Sequence, residues 1–508
     1  GKISMGNPLL QDWTTPYGIA PFDKISDDDF ASAFEQALSS DMQETLAVAN
    51  NSDPPTFTNT IEALIQTGKE LDKVLSVFYS VAGSDSNATR EALMQEFSPK
   101  LSEHSSEIFA NKKLFARIQE LWKRRDNLGL NSEQSRVLML MHRNFVRSGA
   151  ALEVEAKDRI KKIKSRLAVL GTKFSLNLLE DERHWYMELS EDDMECFPDF
   201  LIEATKVAAK EKKIDGAVIT LSRSLIVPFL QFSPRRELRE KAYKAWASRG
   251  ASGGDTDNRG IAREMLGLRQ EMACLLGYAN FAAFKLETEM AKTSENVFKL
   301  LSDVWHPAKV RAEKDASILA KMMCEDGIDD DLEKWDWLYY SEKRRKAELE
   351  LDETIVKPFF QLEQMINAAF DCSTRLFGLE FKEIHVPLYH PDCRAWEVTR
   401  QEKHVALFIG DYFARGSKRS GAWCSAMRSQ AKFPREKSPI VINVCNFAKG
   451  DPTLLSYDEA RTLFHEFGHA LHQMLSEVTY EMISGTSVPR DFVELPSQLY
   501  EHWLQVPK

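Results

Sequence analysis

The stretch Ser456-Tyr457-Asp458-Glu459-Ala460-Arg461-Thr462-Leu463-Phe464-His465-Glu466-Phe467-Gly468-His469-Ala470-Leu471-His472 decides how the rest of this chain is read. It opens as a helix opens. The Ser456 side chain can accept from the backbone N–H three residues on, and Glu459 can reach back to the N–H of Ser456, the reciprocal pair of a capping box. Asp458 and Glu459 also sit in the first turn, where the helix dipole favours negative charge. Ala460, Leu463, Phe467, Ala470, Leu471 and Met474 then fall on one stripe at about 100° per residue. His465 and His469 share roughly the opposite side, one turn apart, with Glu466 at their edge.

Two neutral imidazoles at i and i+4 span two corners of a tetrahedron, which is what zinc requires of a single helix. The carboxylate between them stands where it can take a proton from an attacking water. One further protein ligand completes a catalytic set and leaves the fourth corner open. Extending the motif by Gly and then His, as the metzincins do, fails, because the residues at the required places are His472 and Leu475. The better candidate is Glu494, in Arg490-Asp491-Phe492-Val493-Glu494-Leu495-Pro496-Ser497-Gln498. Pro496 lacks an N–H and fits only the first turn of a helix, so Glu494 should begin a second helix. The link holding Gly485 and Pro489 gives the chain room to double back.

Composition sets the frame around this motif. The chain has 508 residues, 43% hydrophobic and 28% charged, ordinary for a soluble globular protein and far from a disordered one. Its 23 Gly and 19 Pro compare with about 36 and about 25 for average usage, so long helices are expected. A net charge of −11 argues against a non-specific nucleic-acid binder, which needs a basic face to displace phosphate counterions. No run approaches the ~18 apolar residues of a membrane span, and Gly1–Leu10 lacks a signal-peptide core. The seven cysteines are scattered without a C-x-x-C pair, which reads as reduced thiols in a cytoplasmic protein.

Helical patterns fill the first 380 residues. Ser26 should cap a helix in which Phe30, Phe34, Leu38, Met42 and Leu46 recur every four residues, and Ile160, Ile163, Leu167, Leu170 and Phe174 mark another. Past about residue 380 the texture changes. Phe381–Leu388, Ala395–Thr399, Val405–Phe408 and Pro439–Phe447 read as strands of a small sheet. Two helices should close the chain, near 457–478 and from about 492 onward. The expected organisation is a helical lobe over 1–150, a helical body over 151–380, and a catalytic region over 381–508.

His465-Glu466-Phe467-Gly468-His469, followed by Glu494 inside Arg-Asp-Phe-Val-Glu-x-Pro-Ser-Gln, resembles the thimet-oligopeptidase (M3) family of zinc peptidases. Tyr389-His390-Pro391-Asp392, Gly410-Asp411-Tyr412-Phe413-Ala414-Arg415 and Ile442-Asn443-Val444-Cys445-Asn446 resemble its bacterial-type peptidyl-dipeptidase branch. The resemblance implies a mainly α, two-lobed ellipsoid around a deep channel, with a small β-sheet beside a gluzincin-type H-E-x-x-H site. It implies one zinc per chain on His465, His469 and Glu494, with Glu466 as the catalytic base. Short unstructured peptides would enter the channel and lose C-terminal dipeptides. An endo-acting oligopeptidase and an inactive peptide-binding fragment are the alternatives.

Other residues carry weaker expectations. Pro439–Phe447 could be an edge strand, with Val444, Cys445 and Asn446 pairing to substrate backbone. His472 and Gln498 could support the zinc ligands from behind. Gly468 marks either the close approach of another backbone or simple tolerance. The resemblance further implies a C-terminal continuation beyond Lys508 that carries an oxyanion-stabilising tyrosine. That missing fragment is thus an expected partner, and an apolar surface should mark its seat. Tyr412, Arg415 and Tyr480 are the remaining donors at hand.

Overall fold

A computed structural model describes residues 6–351 and 353–506. Gly1–Met5 at one end and Lys508 at the other, on which two of the expectations fall, lie outside the described residues. The fold is mainly helical with a small mixed sheet. No described helix is long and apolar enough to cross a membrane. All seven cysteines are unpaired.

The first layer is built by the helices Asp28–Ala49, Lys69–Ser84 and Ala88–Phe109. Phe30, Phe34, Phe78 and Phe97 meet in their shared core, with Phe34 stacked on Phe97. The first helix begins at Asp28 without a side-chain cap: the Asp27 carboxylate is taken by Arg90, and the Ser26 N–H donates to Asp29 Oδ2 at 2.8 Å. Its every-fourth-residue stripe is only half right. A spacing of four advances 400°, so each step drifts about 40° off the buried face. Phe30 and Phe34 are buried, burial then passes to Ala37, Asp41 and Thr45, and Leu46 ends up exposed. The 3-4-3-4 stripe of the 31-residue helix Val154–His184 corrects this drift, and Ile160, Ile163 and Leu170 are buried as expected.

Two short strands, β1 (Tyr186–Leu189) and β2 (Ala217–Thr220), pair antiparallel beneath the helices Asp199–Glu211 and Arg223–Phe232. The larger sheet has five strands: β3 (Leu379–Ile384), β4 (Arg394–Arg400), β5 (Lys403–Phe413), β6 (Trp423–Arg428) and β7 (Ile440–Phe447). Their spatial order is β3-β4-β5-β7-β6, antiparallel except where β7 runs parallel to β5. The sequence foretold four of these strands; β1, β2 and β6 were not expected. The helix Leu362–Phe377 and the motif helix Tyr457–Met474 cover one face, where Phe370, Phe381, Phe408 and Phe467 converge.

One expectation is corrected by this topology. Pro439–Phe447 is not an edge. The strand it forms, β7, lies between β5 and β6, and Val444 and Cys445 are 1% and 0% exposed. The physical reason is visible in Ile440-Val441-Ile442-Asn443-Val444-Cys445: an apolar run without alternation belongs to a strand covered on both faces. The edge is β6. Its side lies across a cavity of about 150 Å³ from Gly485 and Thr486.

Candidate metal centre

The motif helix starts as its sequence demands. Ser456 Oγ accepts from Glu459 N and Glu459 Oε1 accepts from Ser456 N, both at 3.0 Å. The apolar stripe packs on the sheet. The opposite side of the helix is largely enclosed as well, with Glu466 6% and His469 9% exposed. Asn443 on β7 donates its Nδ2 to the Glu466 carbonyl at 2.9 Å, which pins the helix to the sheet at the motif itself.

The second helix, Glu494–Glu501, crosses the motif helix at Gly468. A Cβ at Gly468 would stand 2.8 Å from Ser497 Cα, so close approach of another backbone is the reason for this glycine. Two clamps outside the motif fix the crossing. The Asp491 carboxylate accepts from Met290 N and Ala291 N at 3.0 and 2.9 Å. Tyr500 donates its hydroxyl to the Ala369 carbonyl at 2.5 Å.

Glu494 is thereby brought over both imidazoles. Its Oε2 lies 2.9 Å from His465 Nε2 and 3.0 Å from His469 Nε2. One donor atom from each of the three side chains falls within 4.8 Å of the other two. A tetrahedron with ~2.1 Å metal–ligand bonds has edges of about 3.4 Å, and the two Glu494–imidazole spacings of 2.9 and 3.0 Å come within about 0.5 Å of that length. Two imidazole nitrogens and one carboxylate oxygen are also the donor set of a catalytic zinc site, and the described residues therefore fit the ion.

The supporting contacts differ from those expected. Gln498 is exposed and makes no described hydrogen bond to a ligand. Ser497 holds Glu494 instead, its Oγ donating to Oε2 at 2.8 Å. Glu501 Oε1 lies 2.7 Å from His465 Nδ1, which directs the lone pair of Nε2 to the centre. The missed signal was spacing: Glu501 follows Glu494 by seven residues, two turns along one face. His472 faces away, lining an apolar groove of about 850 Å³ together with Leu471, Leu499 and Trp503. Its Nδ1 and that of His469 are buried without a hydrogen-bond partner among the described residues.

Burial pushes the Glu466 carboxyl up to about 7; the nearby His465 opposes this and Glu494 adds to it. Burial likewise lowers the His469 pKa. Burial would raise Glu494, but the Ser497 hydroxyl and the two imidazoles outweigh it and hold that carboxyl below its ordinary value.

In front of His465 and Glu466 opens a cavity of about 430 Å³, walled on its far side by Arg223, Val227 and Gln231. Asn446 alone of the expected substrate-binding trio reaches it, with Nδ2 donating to the carbonyls of Arg419 and Gly421. None of the expected oxyanion donors is aimed here. Tyr412 is buried in the core beneath the sheet, Arg415 is paired with Asp411, and the Tyr480 hydroxyl donates to Glu62.

Comparison with known proteins agrees with this architecture. A model of peptidase family M3 matches residues 229–508. The chain is 35% identical over 510 residues to the dipeptidyl carboxypeptidase of Escherichia coli K12, covering 99% of this chain and 75% of that protein. It is 32% identical over 520 residues to oligopeptidase A of the same organism, with the same coverages. With a relative above 30% identity along nearly its whole length, and a family match that takes in the motif helix and its crossing partner, the chain belongs to peptidase family M3.

Proposed function

We propose that this chain hydrolyses short peptides with one zinc ion held by His465, His469 and Glu494, and that it releases dipeptides from the C-terminus. The observation that carries the reading is the convergence of Glu494 Oε2 on two Nε2 atoms from a separate helix, at 2.9 and 3.0 Å. Zinc, when bound, supplies Lewis acidity toward the scissile carbonyl and lowers the pKa of nearby water. The chain's own residues do the rest. Glu466, beside the two imidazoles on the cavity wall, accepts a proton from the attacking water and delivers it to the leaving amine. Glu501 holds the Nδ1–H of His465 so that Nε2 stays free to ligate. Ser497 restrains one oxygen of Glu494.

C-terminal dipeptide release is favoured by the 35% identity to a dipeptidyl carboxypeptidase. The 32% identity to an oligopeptidase supports endo cleavage as the second reading. For the expected C-terminal continuation, the apolar groove lined by Leu471, Leu499 and Trp503 is the proposed seat, since its floor is greasy and open. Metal analysis and product masses from one ten-residue peptide test the whole. Expected are one zinc per chain, lost in His469→Ala, and products shorter by two residues. A metal-free protein of undiminished peptidase activity would falsify the site, and internal fragments would transfer the activity to the second reading.

A further inference from the structure

The cavity before Glu466 is chemically lopsided. On the side of the motif helix, three of its carboxylates are committed: Asp458 to Arg461 at 2.5 Å, Glu459 to the Ser456 N–H, and Glu501 to His465. The remaining carboxylate there is the catalytic candidate Glu466. Across the cavity stands Arg223, the first residue of the helix Arg223–Phe232. It is exposed, and among the described residues its guanidinium has no hydrogen bond or ion pair.

Arg223 also borders a second chamber of about 340 Å³, which shares Ser224, Gly421 and Asn446 with the first. The other cations there are engaged. Arg183 pairs with Glu91 and Glu180, Arg415 and Lys418 with Asp411, and Lys449 with Asp392, while Lys212 donates to the Arg183 carbonyl. Among the described residues, Arg223 is therefore the lining cation with neither a hydrogen bond nor an ion pair, at the junction of two continuous chambers, one of which holds the metal ligand His465 and the base.

We propose that Arg223 anchors the free C-terminal carboxylate of the peptide and so selects for release of C-terminal pieces over internal cleavage. A planar guanidinium matches a carboxylate with two parallel N–H···O bonds. An internal peptide carbonyl brings no charge to this wall, and a C-terminal amide brings none either. Two extended residues span at most about 7 Å, so a carboxylate two residues beyond the scissile bond lies within the reach of a cavity this size. The proposal rests on the peptidase reading above and deepens it.

The test compares a peptide ending in a free carboxylate with the same peptide ending in an amide. Wild-type protein should cleave the acid about tenfold better in kcat/KM, a low figure for a charge-assisted bond because the site is open to solvent. Arg223→Met should lose this preference by slowing the acid and leaving the amide unchanged, and Arg223→Lys should restore part of it. In parallel, calorimetry with a dipeptide and its amide should show the same preference in wild type and its loss in Arg223→Met. Equal treatment of acid and amide by the wild type, or a preference that survives Arg223→Met, overturns the proposal. Failure of the wild type to cleave either peptide counts against the peptidase reading instead, and the calorimetric pair then decides for or against Arg223.

Discussion

Gly468→Ala is the sharpest test of how the centre is assembled. In an exposed helix interior this change stabilises by up to ~1 kcal/mol, because alanine loses less backbone entropy. At Gly468 the new Cβ would lie 2.8 Å from Ser497 Cα, 3.0 Å from Tyr500 Cβ and 3.2 Å from the Pro496 carbonyl oxygen. Ordinary contact begins near 3.4 Å, so the crossing helix must retreat by at least about 0.6 Å. Two of the three obstacles are backbone, so no rotamer change relieves them. Overpacking of this kind costs about 1–3 kcal/mol, which exceeds the propensity gain. The retreat also carries Glu494 off His465 and His469, whereas a zinc shell tolerates about ±0.2 Å. The expected result is zinc affinity lower by roughly 10- to 100-fold, comparable to loss of an outer-shell partner, with lower stability of the metal-free protein. Chelator competition and urea unfolding measure the two. Gly267→Ala is the control: Gly267 is exposed within the helix Arg259–Leu275, a Cβ there meets nothing within 4 Å, and it should stabilise with zinc affinity unchanged. A Gly468→Ala protein that is more stable and binds zinc as tightly as wild type would refute the close-crossing account.

Three further outcomes are expected. Glu466→Gln should retain zinc, since Glu466 is not among the converging donors, and lose about 10²–10⁴-fold in turnover; equal loss of metal would assign it to the ligand set instead. Glu501→Gln should lower zinc affinity by about 10- to 100-fold, measured by chelator competition, because His465 Nδ1 loses its carboxylate partner at 2.7 Å. Asp411→Asn should destabilise at pH 7 by about 3–5 kcal/mol, since it strands the buried Lys418 and half-buried Arg415. Burial raises the Asp411 carboxyl, but Arg415 and Lys418 outweigh it and hold it below the usual carboxylate range. Its contribution is therefore present above the unfolded value near ~3.9 and fades as pH falls through the folded one. Urea midpoints of variant and wild type should converge on acidification, and a gap that widens instead would reverse the sign.

The metal centre was legible because its information is local. A capping box, two histidines one turn apart and a proline-marked second helix point to three donors of two types within thirty residues, and the structure brings those donors together. Residues serving the centre from a distance left weaker traces. Met290 and Ala291 contribute only backbone N–H groups to Asp491, which no side-chain pattern encodes. Gln498, one turn after Glu494, is the residue that spacing suggests, yet the crossing at Gly468 turns the Ser497 and Glu501 positions inward and leaves Gln498 outside. The strand β6 escaped notice because Trp423-Cys424-Ser425-Ala426-Met427-Arg428 neither alternates cleanly nor runs apolar, as suits a half-buried edge. Arg223 gave no signal at all: its meaning comes from the engagement of the other cations around it.

Two stretches that match the family outside the zinc motif turn out to meet in one buried cluster. Tyr389 donates to Asp411 Oδ2 at 2.6 Å, and Arg415 binds both oxygens of Asp411 at 2.8 and 2.6 Å. Lys418 adds bonds to Asp411, to the Phe413 carbonyl and to the Cys445 carbonyl. Burying such charges is weak evidence for stability, because their desolvation offsets much of their attraction. Their directionality is another matter. Arg415 Nε also donates to the Ser84 carbonyl, the last residue of the helix Lys69–Ser84, so the cluster joins the N-terminal layer to β5. Asp411 lies opposite Val444 in the parallel β5–β7 ladder, and Lys418 bonds β7 one residue further on. An apolar core of equal volume could hold the same layers together but would set no register between β5 and β7. Asn443, the next residue back along β7, is the one that grips the Glu466 carbonyl. A slip of one residue there would turn Asn443 to the opposite face of the sheet and release the motif helix. The cluster thus belongs with the metal centre physically, although it lies on other strands: it fixes the register on which the position of Glu466 depends.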